Sequence, residues 1–503
     1  MPHRILLGGG FLYLAVSNLV WITLDTRPPF WDMAVHQSGA LRILDAFGES
    51  GIAAIAAIPF LTGSYPPLYH SIVAVFYTVF GVSPDAAQLA NIPATAVLMG
   101  SVYRIGKRMM PALGAATAAV LVAFYPLVVW LSRETIADYW LLAMTALAGW
   151  LLLETDEFRD RNRTLLFGLA CGFGMLTKWT FGLFLVLPTL WLARHRWRSA
   201  FPAAIVAAVV SATWYAWNVR SLSTLLTINT AGALAEGDPS RLSGQALFFY
   251  LRALGSYQLF LPLFLVFVVG LVWLYRHFGP AWVPVILWAL GGWAGLLVFL
   301  NKDPRYSVPL LPVIALVSAG WISTRRVWVV ALAGFLVFQH SMISFGIPAL
   351  PKEVVIAKGP DDALHRDWIL YSQVYLDLWG PPADEDWKIP YVLERVSEGS
   401  DGRAVRLAIV PDIPRFDYSA FEFHILTRKD AVVILPPGQF EPEVASNSDF
   451  VLAAEGSQGY PGLIPAGADR INQYLRDHTG EFEVIERFAL PTGNMIRLYR
   501  VRR

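Results

Sequence analysis

The sequence predicts a polytopic α-helical membrane protein that ends in a soluble α/β domain. Of its 503 residues, 55% are hydrophobic and 15% are charged, whereas soluble domains carry roughly 25% charged residues. The apolar residues form successive runs, most of them near the roughly 20 residues with which a helix crosses the hydrocarbon core. From residue 349 onward the chain is charged and proline-rich, without a run of that length. We therefore predict a membrane domain over residues 1–348 and a soluble domain over residues 349–503.

The basic residues orient the predicted spans, because Lys and Arg near span ends favour the cytoplasmic side. The first span, residues 5–24, has no convincing small-residue cleavage site, so we interpret it as a retained helix. A long outer loop, about residues 25–86, follows and contains two short interfacial segments, 51–61 and 68–80. The remaining predicted spans are 87–103, 112–131, 139–153, 164–177, 179–193, 201–218, 257–275, 280–300, 308–322 and 327–345.

This arrangement gives about 11 transmembrane helices in an inner or plasma membrane. Residues 219–245, rich in Thr, Ser and Gly, are predicted as a polar outer loop, and 246–256 as an interfacial segment. The odd number of crossings places the C-terminal domain on the extracytoplasmic side. In that domain we predict strands at 405–410, 431–435, 450–454, 483–490 and 493–501, and helices at 361–378, 418–427 and 469–477.

Charge and cysteine content exclude some classes of function. The net charge is +1, which gives no indication of a nucleic-acid partner. Cys171 is the only cysteine, so neither a disulfide framework nor a Cys-based zinc site can form within the chain.

The candidate functional residues map to the outer face of the predicted topology. Each could be a solvated loop residue or an interfacial anchor, but ionisable groups that converge near a bilayer often mark a substrate path. Lys178 separates two half-length apolar runs, where a simple snorkelling anchor is not expected. Lys302 and Arg305 are cations in an outer loop, which favours an anionic partner such as phosphate. The residues that map to the outer face are Asp32, His36, Arg133, Glu134, Asp138, Lys178, Lys302 and Arg305.

Five sequence elements carry a resemblance to a known family. They are Asp32 in the first outer loop, the Pro-Pro element Tyr65-Pro66-Pro67, Asp138 at the head of a span, the Leu176-Thr177-Lys178 break, and Arg305-Tyr306 followed by Pro309 and Pro312. In order, spacing and predicted side, they resemble the GT-C membrane glycosyltransferases. The similarity is greatest to the protein O-mannosyltransferases and the lipid A aminoarabinose transferases (glycosyltransferase families 39 and 83), and it extends over residues 5–322.

The resemblance implies a GT-C fold and transfer of a sugar from a polyprenyl-phosphate donor to a protein, lipid or glycan acceptor on the outer face. An inverting transfer needs a base for the acceptor hydroxyl and cations for the departing phosphate. The family implies Asp32 as base and Lys178 and Arg305 as phosphate ligands, with Lys302 as a further candidate. The residues expected to orient the acceptor or the sugar are Asp138, Glu134, Arg133, His36, Tyr306 and His70.

No cofactor is required, since the phosphate leaves as an anion. His36 and His70 could hold a divalent metal, but no matching ligand set accompanies them. Two positions depart from the family pattern: Met33 follows Asp32 where many relatives have Glu, with Asp25 as a distant alternative acid, and Tyr65 stands near a common Lys position.

Two other classes of function remain open from the sequence. A lipid or solute transporter, or a flippase, with an outward-facing anion site would also use broken helices with a cation between them. The absence of inverted repeats and the odd span count are evidence against it. A structural membrane protein would leave the placement of Lys178 and Arg305 unexplained.

Overall fold

The computed structural model describes residues 2–358, 368–374, 379–398, 403–435, 442–459 and 468–502. Up to residue 345 the chain is mostly helical, as predicted. The first helices are α1 (Pro2–Leu24), α2 (Trp31–Ser50), α3 (Ile58–Leu61), α4 (Leu68–Phe80), α5 (Pro84–Leu89), α6 (Asn91–Gly106), α7 (Ala112–Ala123), α8 (Pro126–Leu131) and α9 (Ala137–Glu154). They are followed by α10 (Arg161–Thr177), α11 (Gly182–Ala193), α12 (Trp197–Ala235), α13 (Gly244–Ala253), α14 (Phe260–His277), α15 (Val283–Val298), α16 (Leu311–Ile322) and α17 (Arg326–Phe345).

Six helical segments of the described residues are long and apolar enough to cross a membrane. Other predicted spans consist of shorter pieces; residues 112–131, for example, are divided into α7 and α8. The division falls just before Pro126, because proline lacks a backbone N–H and disfavours helical geometry in the residue before it. The chain is therefore a multi-pass membrane protein, and the total of eleven crossings stays a prediction. The six segments are Pro2–Leu24, Trp197–Leu234, Phe260–His277, Pro280–Val298, Pro304–Ile322 and Arg326–Phe345.

Two helical regions differ from the sequence prediction. Helix α2 occupies part of the long outer loop and was not predicted, although it carries Asp32 in its first turn. Helix α12 continues to Ala235, so the prediction of a polar loop from residue 219 was wrong. Thr and Ser are only mildly unfavourable in a helix, and the Leu and Ala residues among them favour it. A local break at Asn218, with φ −111° and ψ 18°, marks the end of the apolar part of α12.

Glycines allow close helix contacts inside the membrane region. A Cβ atom at Gly168 of α10 would lie 2.5 Å from the carbonyl oxygen of Ala203 in α12. At Gly270 of α14 it would lie 2.7 Å from the carbonyl oxygen of Val317 in α16. Small residues at such positions let helix backbones approach each other, which is how helices associate in lipid without a hydrophobic driving force.

The C-terminal region contains a mixed five-stranded sheet, which confirms the predicted α/β class. The strand order is β4-β3-β5-β7-β6, with β3 parallel to β4 and β5, and β7 antiparallel to β5 and β6. Its elements are α18 (Ile389–Glu398), β3 (Val405–Ile409), α19 (Tyr418–Arg428), β4 (Val432–Ile434), α20 (Pro442–Ser446), β5 (Phe450–Ala454), α21 (Ala468–Asp477), β6 (Phe482–Ala489) and β7 (Met495–Val501).

A separate antiparallel pair, β1 (Glu353–Ala357) and β2 (Trp368–Ser372), precedes this sheet. Strand β2 corrects the helix predicted over residues 361–378. The rest of that predicted helix, apart from Gln373 and Val374, lies outside the described residues. Ile369 and Ser372 of β2 are buried, whereas Leu370 is exposed. The first residue of the strand, Trp368, contacts Phe264 of α14.

The C-terminal region packs on the end of α1 and on α2. The Thr26 hydroxyl donates to Asp384 at 2.7 Å, and Arg42 of α2 pairs with Glu422 of α19 at 2.7 Å. These contacts place the C-terminal region against the helix that carries Asp32.

Candidate active site

A cavity of about 630 Å³ lies between α2, the start of α9, the second half of α12 and the segment after α15. Residues that are far apart in the sequence meet at its wall. Of the predicted site residues, it is lined by Asp32, His36, Asp138, Lys178, Lys302, Arg305 and Tyr306.

Asp32 presents its carboxylate to this cavity from the first turn of α2. The N-terminus of a helix favours a negative charge. The Tyr65 hydroxyl donates to Oδ1 at 2.8 Å, and Nη1 of Arg305 lies 3.5 Å from Oδ2. Burial acts to raise the pKa of Asp32, but the charge of Arg305 and the hydrogen bond from Tyr65 are among the effects that outweigh it, so the pKa falls below its ordinary value. The side chain, 41% exposed, is therefore an accessible carboxylate at neutral pH.

Arg305 is oriented by its neighbour Asp303. The Asp303 carboxylate accepts a hydrogen bond from the backbone N–H of Arg305 at 2.7 Å and so caps the 3₁₀ segment Pro304–Leu310. The same carboxylate lies 2.8 Å from Nε and 2.7 Å from Nη2 of Arg305. This two-point contact fixes the plane of the guanidinium and leaves Nη1 directed towards Asp32.

Lys178 and Asp138 form a buried ion pair on the adjacent wall. Lys178 terminates α10 in an extended conformation, and its Nζ lies 2.8 Å from both carboxylate oxygens of Asp138 in the first turn of α9. The two side chains are 12% and 2% exposed. The Lys178 ammonium also lies 5.1 Å from the centre of the Tyr306 ring, within the range of a cation–π contact.

Lys302 lines the same cavity but uses its ammonium group differently. Its Nζ donates to the carbonyl oxygen of Leu296 at 2.9 Å and to that of Phe299, and so caps the end of α15. Its backbone N–H donates to Asp238 at 2.7 Å. Burial lowers the pKa of Lys302 to about 8.

Comparison with known proteins identifies the fold class of the chain. Residues 64–217 match the family model described as dolichyl-phosphate-mannose-protein mannosyltransferase. The structures of ArnT from Cupriavidus metallidurans, in the apo state and bound to undecaprenyl phosphate, each superpose with a TM-score of 0.59 at 14% identity, covering 97% of both chains. The chain has the GT-C fold. Together with the family match, this fold indicates a membrane glycosyltransferase, and the predicted resemblance is confirmed.

An oligosaccharyltransferase from Archaeoglobus fulgidus aligns with a TM-score of 0.49 at 11% identity, covering 98% of this chain and 74% of that chain. No curated protein sequence matches the chain.

Three predicted site residues, Arg133, Glu134 and His70, do not line the cavity. Arg133 donates to Asn18 at 2.9 Å and to Ser344 at 2.5 Å, and thereby connects α1 with α17. The backbone carbonyl of Glu134 accepts a hydrogen bond from Asn91 at 2.8 Å, and its side chain is buried. The Nε2 atom of His70 lies 3.1 Å from Nδ1 of His36. Their contacts hold the helices that surround the site.

No group of three or more His, Cys, Asp or Glu side chains within the described part of the chain is placed to hold a metal ion. His36 and His70 pair with each other, and burial lowers the pKa of His36 to about 4. The imidazole of His36 is therefore neutral at physiological pH.

The structure adds three residues to the predicted site. Tyr65 supplies a donor to Asp32, Asp303 orients Arg305, and Trp31 lines the cavity beside Asp32. The sequence carries a signal for Asp303, because Asp directly before Pro is a common start of a helical segment. Tyr65 is part of the Pro-Pro element, but nothing in that element indicates a contact with Asp32. Nothing local to Trp31 indicates its contacts, which are with residues distant in the sequence.

Glu134 gives the glycosyltransferase an expected pH dependence of stability. Burial raises the pKa of Glu134 to about 7, whereas a carboxyl in an unfolded chain titrates near 4.3. Between these values the folded state binds the proton more tightly, so its stability falls as the pH rises through this window. We expect Glu134→Gln to raise the unfolding free energy at pH 8 by on the order of 3 kcal/mol, which is measured as a higher thermal midpoint. Near pH 4.5 the substitution should have little effect. Glu49→Gln, at an exposed position on α2, is the control, and a pH-independent effect of Glu134→Gln would contradict the assignment.

Proposed function

We propose that the protein moves a sugar from a polyprenyl-phosphate donor to an acceptor hydroxyl with inversion at the anomeric carbon, on the extracytoplasmic face. One observation carries the proposal: the Asp32 carboxylate and the Arg305 guanidinium face each other at 3.5 Å in a single cavity. A base and a phosphate ligand are the two groups that this chemistry needs. The undecaprenyl phosphate bound to ArnT, which has the same fold, supports the class of donor.

In the proposed reaction Asp32 accepts the proton of the acceptor hydroxyl as its oxygen attacks the anomeric carbon. The bond from that carbon to the phosphate oxygen breaks, and the phosphate leaves with the electron pair as an anion. Tyr65 donates to Oδ1 of Asp32. Oδ2 faces Arg305 at 3.5 Å, and its second lone pair can accept the proton of the acceptor hydroxyl. Because attack and departure take place on opposite sides of the carbon, the product has inverted configuration.

We assign the leaving phosphate to Arg305 and Lys178. Each cation is already paired with a carboxylate, Arg305 with Asp303 and Lys178 with Asp138, so each is oriented before a ligand binds. Preorganised cations stabilise charge that develops in the transition state without reorganisation. Lys302 adds positive charge to the same wall, although its ammonium is engaged by backbone carbonyls.

The remaining cavity wall suits the other parts of the substrates. Leu225 and Leu226 of α12, with Leu296 and Val298, form an apolar side on which the first isoprene units can lie. We assign Asp138, His36 and Tyr306 to the sugar or the acceptor, since they line the cavity next to the proposed phosphate ligands. In this scheme the phosphate leaves as an anion, so the reaction is proposed without a metal or another cofactor.

The test is turnover of defined donors by the purified full-length protein. We would incubate it with undecaprenyl phosphate linked to mannose, glucose, galactose or aminoarabinose, with lipid and peptide acceptors. Release of undecaprenyl phosphate would be followed by chromatography and the anomeric configuration of the product by NMR. We expect one donor to be consumed with inversion. Retention of configuration would contradict the role of Asp32. If every donor crosses the membrane of protein-containing vesicles and is recovered unchanged, a carrier would be favoured.

The side of the reaction is tested by cysteine labelling in a Cys171→Ser background. We expect a membrane-impermeant maleimide to label Glu394→Cys, at an exposed position of α18, in intact cells. Arg161→Cys, exposed at the start of α10 on the predicted cytoplasmic side, should react only after permeabilisation. The reverse pattern would place the C-terminal region inside the cell.

A further inference from the structure

Trp31 occupies an unusual position at the start of the helix that carries Asp32. Its backbone has φ 42°, in the left-handed region that bulky residues seldom adopt and that persists only when the surroundings fix it. Its side chain lines the cavity next to Asp32. The conformation of Trp31 therefore sets the direction in which α2, and with it Asp32, begins.

The groups that fix this conformation come from the loop between β3 and α19. The indole Nε1 of Trp31 donates to Oδ1 of Asp412 at 2.7 Å, and its backbone N–H donates to Oδ2 of Asp417 at 3.4 Å. Arg415, in the same loop, donates to the carbonyl oxygen of Pro28 at 2.9 Å and lies over the ring of Phe30 at 4.9 Å. Residues 412–417 thus hold residues 28–31 at several points.

This loop is itself firmly placed. The backbone N–H of Asp412 donates to the carbonyl oxygen of Gln458 at 2.6 Å. Asp417 is buried, and its Oδ1 caps α19 through the backbone N–H groups of Ser419 and Ala420. A group attached to such a loop is held by the folded C-terminal region and has little freedom of its own.

We propose that Trp31, held by Asp412 and Asp417 of the C-terminal region, is a positioning residue that directs the Asp32 carboxylate into the cavity. The C-terminal region is then a component of the site, which would be misaligned without it. The effect on turnover rests on the proposed role of Asp32, whereas the effect on the geometry of α2 does not.

Docking of the C-terminal region is a separate matter from this positioning. Arg42 pairs with Glu422 across the same interface, but it lies 11 residues beyond Trp31 on α2, about 16 Å along the helix. Arg42→Ala therefore weakens docking without touching the start of the helix. Trp387→Phe removes a similar bond, from the indole to Glu385 at 3.0 Å, away from the cavity. These variants are the matched controls.

The experiment compares Trp31→Phe, Asp412→Ala and Asp412→Asn in the full chain, with the donor that the wild type turns over. We expect Trp31→Phe and Asp412→Ala to lower kcat by about 10–100-fold, as small misplacements of catalytic groups do, with an unchanged KM for the donor. The double variant should be no worse than either single one. Asp412→Asn keeps an oxygen that accepts from the indole and should retain most activity. Asp417 is less suitable for the test, because its removal also uncaps α19.

A second measurement does not depend on turnover. The backbone N–H groups of Met33 and Ala34 donate to the carbonyl oxygen of Phe30 at 3.0 and 3.3 Å. We expect their hydrogen exchange to be faster in Trp31→Phe and Asp412→Ala but not in Asp412→Asn, Arg42→Ala or Trp387→Phe. Exchange or kcat at the wild-type level in Trp31→Phe and Asp412→Ala would overturn the positioning role. If Asp32→Asn is fully active, the role of Asp32 as base fails, while the exchange result still decides whether Trp31 fixes the start of α2.

Discussion

Replacing Asp32 by Asn is expected to lower kcat/KM by about 10²–10⁴-fold, the usual contribution of a positioned general base. The amide is almost the same size as the carboxylate, and its oxygen can still accept the hydrogen bond from Tyr65 at Oδ1. Arg305 remains held by Asp303, so the phosphate ligand stays in place. The loss should therefore appear in turnover, while the Kd for undecaprenyl phosphate changes little.

The control for this variant is Glu49→Gln on the same helix, where the side chain is exposed and far from the cavity. Both variants should unfold at the wild-type temperature. A folded Asp32→Asn protein that transfers sugar at the wild-type rate would remove Asp32 as the base. Asp25, the alternative acid in the sequence, pairs with Arg27 at 2.5 Å and does not line the cavity.

Replacing Lys178 by Met should lower the stability of the protein as well as weaken donor binding, because Lys178 forms a buried ion pair with Asp138. Asp138, 2% exposed, would be left without its cation, and breaking one side of such a pair costs about 3–5 kcal/mol of unfolding free energy. We expect the double variant Lys178→Met/Asp138→Asn to recover most of that stability, since neither remaining group is charged. Its Kd for undecaprenyl phosphate should still rise about 10–100-fold, the value of one lost charge-assisted hydrogen bond.

Lys107→Met, at an exposed lysine on the predicted cytoplasmic side, controls for the loss of a positive charge. Thermal unfolding in detergent and titration with undecaprenyl phosphate measure the two effects separately. A stable double variant that binds undecaprenyl phosphate like the wild type would exclude Lys178 from the phosphate site and leave it only a structural role.

Much of the fold could be predicted because the bilayer imposes simple lengths. A helix crosses the hydrocarbon core with roughly 20 apolar residues, so α14, α15 and α17 fall close to their predicted ranges. The strands of the C-terminal sheet were also predicted within one or two residues, since each is a short apolar run between turn residues. Helix α2 was missed because its apolar positions are interrupted by polar and charged residues, which is typical of a helix that packs on protein outside the membrane.

The candidate site was predicted in part. Asp32, Lys178 and Arg305 line one cavity, as expected. The predicted topology alone assigns all three to the same face of the membrane. Arg133 and Glu134 share this face but point into the helix packing. Sidedness in the membrane does not reveal the direction of a side chain, which depends on how the helices rotate against each other.

The sequence by itself determined the membrane class, the α/β C-terminal region and most of the charged residues that line the cavity, because hydropathy and charge placement are properties of local sequence. Only the tertiary structure decided which cation faces which carboxylate, that Lys302 caps a helix, and that Trp31 meets Asp412. These pairs join residues separated by 40 to 381 positions or depend on the exact end of a helix. Their geometry is set by the packing of whole helices and of the C-terminal region, and no local pattern in the sequence specifies it.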